Sequence, residues 1–160
     1  MSHPSLGLPP VDRTAGDPAS AAALLRDRVR LADRSLTFAR ESDPTFVERH
    51  DERALADLRL DADSFVNRLA DAVAANQPGG LSRWAEMVVP RFRKKGVSMD
   101  DLTLVFEGLR RAAPAAVLPQ AIPIVDASVS AAISVFKWHR RIAGDPRPRN
   151  PILQFIYKGA

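Results

Sequence analysis

Residues Leu55 to Val73 read LADLRLDADSFVNRLADAV. Apolar side chains fall at Leu55, Leu58, Ala62, Phe65, Leu69 and Val73, at steps of three and four, the period of one helix face. Asp57, Arg59, Asp63, Asn67 and Asp71 mostly take the other side. The pattern predicts a long amphipathic helix that buries one stripe. Asn76-Gln77-Pro78-Gly79-Gly80 ends it, since Pro and Gly punctuate helices.

The same period continues on both sides of this stretch. Upstream, Asp17-Pro18 predicts a helix start, with Asp as cap and Pro at the first position. Leu24, Leu25, Val29, Leu31, Leu36 and Phe38 follow on one helix, spread widely enough to touch more than one neighbour. Ser42-Asp43-Pro44 breaks it before a short helix with Phe46 and Val47. Downstream, Leu81 to Lys95 reads as a helix buried through Leu81, Trp84, Met87, Val88 and Phe92, with a kink expected near Arg83 to Met87 from Pro90. Gly96 stops it, and Ser98 caps a helix carrying Leu102, Val105, Phe106 and Leu109. A last long helix carries Ile122, Val125, Val129, Ile133 and Phe136 and stops at Gly144-Asp145-Pro146. No segment sustains two-residue alternation, so no sheet is expected.

At 160 residues the chain suits one domain. The division expected is a flexible arm at 1–16, a helical domain at 17–144 and a basic, apolar-ended tail at 145–160. Apolar residues make 46% and charged residues 26%, which argues against a disordered chain. There are no cysteines, which removes disulfides, thiolate metal sites and thiol catalysis. No apolar run reaches the roughly 20 residues of a membrane span, and the N-terminus lacks the pattern of a secretory signal. The expectation is a cytoplasmic protein without a transmembrane segment.

The net charge is +4. Basic groups gather at Arg91, Arg93, Lys94 and Lys95, and at Lys137, Arg140, Arg141, Arg147, Arg149 and Lys158. Nucleic acid, an anionic membrane or an acidic partner would suit them, and a solvated surface is the simplest reading. The tail carries Ile152, Leu153, Phe155, Ile156 and Tyr157, an apolar set that would dock on its own domain or on a partner.

No nucleophile elbow and no phosphate loop is present. His3, His50 and His139 lack metal-ligand spacing, and the last two sit in charged stretches that read as solvated. Asp57 and Asp61 stand one turn apart, as do Asp63 and Asn67, but surface ion pairs with Arg53, Arg59 and Arg68 explain them. The turn at Gly96 offers a helix-turn-helix candidate, yet Asp100 and Asp101 put acid where phosphate would approach.

Leu58 to Leu69, followed by Asn76-Gln77 and then Lys95-Gly96-Val97, resembles the bilin-binding core of phycobiliproteins, members of the globin superfamily. The resemblance covers Asp57 to Ala113 and implies an all-α, globin/phycobiliprotein-like bundle of about six helices. Leu58 stands where the bilin-linking Cys would be, and Leu60 where an Arg would hold propionates; Asp61 matches. A covalent bilin is thereby excluded. The leading expectation is a cofactor-free, non-enzymatic sensor or adaptor module that works through a protein partner or as a homo-oligomer. The alternative is a sensor of a non-covalent tetrapyrrole or other small molecule, lined by Asp61, Arg68, Trp84 and Arg91. A nucleic-acid-binding regulator comes third. No metal site is expected.

Overall fold

The Asp17 carboxylate accepts the Ser20 amide at 2.9 Å, and Pro18 fills the first helical position, where a missing N–H costs nothing. From there the computed structural model, which describes residues 15–144, builds an all-α bundle with no strand among the described residues. Six α-helices succeed one another: α1 (Pro18–Arg26), α2 (Arg28–Ser42), α3 (Glu52–Ala75), α4 (Gly79–Lys94), α5 (Met99–Ala112) and α6 (Ile122–Ala143). Short 3-10 turns at Pro44–Phe46, Ala113–Ala116 and Pro119–Ala121 join them. The arm at 1–14 and the tail at 145–160, including Ile152, Leu153, Phe155, Ile156 and Tyr157, lie outside the described residues.

Gly16, read from sequence as the last residue of the arm, belongs to the bundle. A Cβ there would stand 1.7 Å from the Ala74 carbonyl oxygen, and the Asp17 amide donates to Val73 O at 3.0 Å. The single helix expected after Pro18 is two. Asp27, at φ −95° and ψ 6°, turns the chain so that α1 lies on α3 while α2 lies against α5 and α3. No Gly or Pro marks this bend, so periodicity could not find it.

Other boundaries follow the capping chemistry. Asp51 accepts the Ala54 amide at 2.7 Å to start α3. Asn76 ends it in the left-handed region at φ 49°, with Gln77 N–H on Ala72 O at 2.9 Å, the Schellman pattern. Gly79 and Gly80, expected in the loop, instead form the first turn of α4. Helix α4 runs through Pro90 as one element, with Pro90 on its exposed side. The carbonyl that loses its helical donor, that of Glu86, also belongs to an exposed residue, so water can serve it. Ser98 caps α5 by accepting the Asp101 amide at 2.9 Å.

The core centres on Phe65 of α3. Its ring lies 4.8 Å from Trp84, 6.0 Å from Phe92 and 4.4 Å from Phe106, and Phe106 lies 5.1 Å from Phe136. Edge-on and tilted rings thus join α3, α4, α5 and α6. Where α2 crosses α5 the backbones nearly touch: a Cβ on Gly108 would sit 2.6 Å from Ser35 O and 2.8 Å from Ser35 Cα. The stretch Pro119–Ala143 is long and apolar enough to cross a bilayer by length and composition, contrary to the sequence expectation. Within the fold it packs on α4 and α5 through one face, with Val125, Val129, Ala132, Ile133 and Phe136 buried.

Candidate functional site

Three places gather chemistry. The first is the segment before α3. Phe46 is buried and its ring lies 4.9 Å from that of His50. His50, expected to be solvated, is buried instead: its Nε2 lies 2.8 Å from Asp101 Oδ2. Arg49 bridges Asp101 at 2.5 Å and Asp43 at 2.7 Å, and donates also to Thr45 Oγ1. Burial pushes the Asp101 carboxyl up, but hydrogen bonds from His50 and Arg49 outweigh it and hold it below the usual carboxylate range. Asp101 is therefore ionised, and His50 Nε2 must be the donor. Its carboxylate is 2% exposed, so the acid expected at an open helix end is internal, and exposed Asp100 pairs with Arg140 at 3.0 Å. This cluster ties the Pro44–Phe46 turn to the start of α5. Both carboxylate oxygens of Asp101 are engaged internally, which suits a structural role. Nothing local in the sequence joins His50 to an acid fifty-one positions away.

The second place is the seam between α3 and α4. All four residues named from sequence as ligand lining lie along it, but in two groups. Asp61 pairs with Arg91 at 2.7 Å, with Lys95 at 3.7 Å. Burial raises the Asp61 carboxyl, and the two cations only partly oppose that. Arg68 and Trp84 sit further along, where they line a half-open groove of about 350 Å³ together with Arg83 and Met87. The sequence alone singles out neither Arg83 nor Met87 as ligand lining. Met87 reads from the sequence as part of a core stripe, but it is 72% exposed.

The third place is the outer side of α6. Beside its buried stripe runs a second apolar row, Ile124, Ala127, Ala131, Val135, Trp138 and Ile142, again at steps of three and four. Ile124, Ala131 and Val135 are half-buried; Trp138 is 47% and Ile142 59% exposed. His139, expected to be solvated, is partly buried and meets Glu86 Oε2 at 2.7 Å. Arg93 donates to the backbone carbonyls of His139 at 2.8 Å and Gly144 at 3.1 Å.

Among the described residues no group of three His, Asp or Glu side chains is placed to hold a metal ion. No known protein family, no curated protein and no solved structure matches the chain.

Proposed function

We propose that this chain is a non-enzymatic, cofactor-free helical adaptor, globin/phycobiliprotein-like in kind, that works by protein–protein contact and associates with a second copy of itself through α6. The observation that carries this reading is the second apolar row on α6. A helix at the edge of a bundle needs one apolar stripe, and the opposite side is ordinarily polar. Here two rows lie side by side, and Ala127 and Ala131 in the outer row leave room for another helix to come close. Trp138 and Ile142 are about half covered already, and burying what remains would contribute on the order of 1 kcal/mol each.

The competing readings draw less support. The Asp61 carboxylate that would meet a tetrapyrrole is taken up by Arg91 and Lys95. Of the basic group near Gly96, Arg91 and Lys95 face acids and Arg93 serves backbone carbonyls, so little of it is left for phosphates.

Sedimentation across the micromolar range tests the proposal. The full chain should gain mass with concentration. The variant Ala131→Glu, and separately the pair Trp138→Ser and Ile142→Ser, should stay monomeric with unchanged helical circular dichroism. A wild-type chain that is monomeric throughout, or variants that associate as it does, would refute self-association through α6.

A further inference from the structure

We propose that the groove between the second half of α3 and the first half of α4 binds a carboxylate carried on a small apolar body. The inference rests on a surface separate from α6 and stands independently of the self-association reading.

The groove presents donors with few internal acceptors. Arg83 makes no ion pair among the described residues, and Arg68 reaches Asp71 only at 3.4 Å, both side chains being more than half exposed. Trp84 is 8% exposed and packs its ring against Phe65, yet its indole N–H has no acceptor among the described residues. Among the described residues the fully enclosed side-chain polar atoms without a partner are Asp17 Oδ2 and Ser128 Oγ, so the indole N–H is not sealed in. Trp84 is among the residues that line the groove. A nearly buried indole ordinarily finds a partner for its N–H, and here the open side offers it to a ligand.

Gln77 and Gly80 complete the rim on the side of the α3–α4 turn, and the rest of the wall is apolar. Ala72 and Ala75 form a low floor on α3, and Met87 projects from α4, more exposed than any other large apolar side chain described. Methionine is flexible and polarizable and adapts to varied apolar partners. Two guanidinium groups against the single Asp71 carboxylate leave one positive charge in excess. That balance fits a monoanion better than a phosphate, whose second charge Asp71 would oppose. The carboxylate would accept from Arg68, Arg83 and the Trp84 N–H, and the apolar body would lie over Met87 and the alanines. A volume of about 350 Å³ is at the small end of ligand sites and suits a short acyl or aryl acid.

The chain has two tryptophans, so Trp138→Phe leaves Trp84 as the sole indole reporter. Its fluorescence is titrated with octanoate, octanol and inorganic phosphate, each as a separate arm. Octanoate should give a saturable change in the millimolar range or below, about tenfold tighter than octanol or phosphate. Arg83→Gln in the same background should weaken octanoate about tenfold with the helical spectrum retained, and Met87→Ser should weaken octanoate while leaving any phosphate response alone. No saturable change, equal responses to octanoate and octanol, a phosphate response as tight as that to octanoate, or indifference to Arg83→Gln would each overturn the proposal.

Discussion

Two buried or half-buried aspartates illustrate how opposite environments act on one residue type. Asp101 is held ionised by His50 and Arg49, and its carboxyl lies below the ordinary range. A depressed value means that its contribution to stability is present above the unfolded pKa of about 3.9 and is lost as pH falls through the lower folded value. Asp61 is shifted upward by burial, so its protonated form is the better tolerated one and acid does not weaken the fold through it. Asp101→Asn should therefore cost about 3–5 kcal/mol near neutral pH, because Arg49 and His50 lose a buried partner, and should flatten the loss of stability below about pH 4. Asp61→Asn should change stability by less than about 1 kcal/mol, since Arg91 and Lys95 are half-exposed and can turn to water. Urea unfolding of both variants from pH 3 to pH 7 checks this; an Asp101→Asn variant as stable as wild type would show that the cluster is dispensable.

Among the elements, the α2–α5 crossing is a contact between helices that a single atom can test. Gly108 lies mid-helix, where glycine is about 1 kcal/mol less favourable than alanine, so its presence there already signals a constraint. Gly108→Ala sets a methyl group against the Ser35 backbone, which cannot rotate aside. The variant should lose about 1–3 kcal/mol despite its better helix propensity, read as a lower melting temperature. A gain in stability would mean that α2 and α5 slide apart freely. At the end of α3, Asn76 holds a positive φ, and Asn76→Ala should cost roughly 1 kcal/mol through the strained left-handed conformation.

Across the whole molecule, the rings of Phe65, Trp84, Phe92, Phe106 and Phe136 unite four helices, and Phe106→Ala should cost about 3–5 kcal/mol and leave a chain prone to loose packing. Calorimetry and the near-ultraviolet spectrum measure both effects. Much of this architecture is legible in the sequence. The stripe from Leu55 to Val73 fixes α3, and Asp17, Ser98 and Gly96 mark helix ends through their own local chemistry. The α1–α2 bend at Asp27 is not legible, because it answers to neighbours rather than to nearby residues. Nor is the burial of His50, whose charged flanks resemble any solvated turn and whose partner lies on another helix. Of the groove, Arg68 and Trp84 are legible in the sequence, but Arg83 and Met87 join them through the rotation of α4 against α3, which a broad apolar stripe does not set: Met87 reads as core and is 72% exposed.

Arg93 grips two main-chain oxygens, those of His139 and Gly144, and no side chain of α6. The closing turn of that helix is thus latched by a feature every amino acid shares. Exchanges at Arg140, Arg141 or Ile142 can remodel what the surface displays and still leave the helix ending at the same point, whereas one replacement at Arg93 would unfasten it.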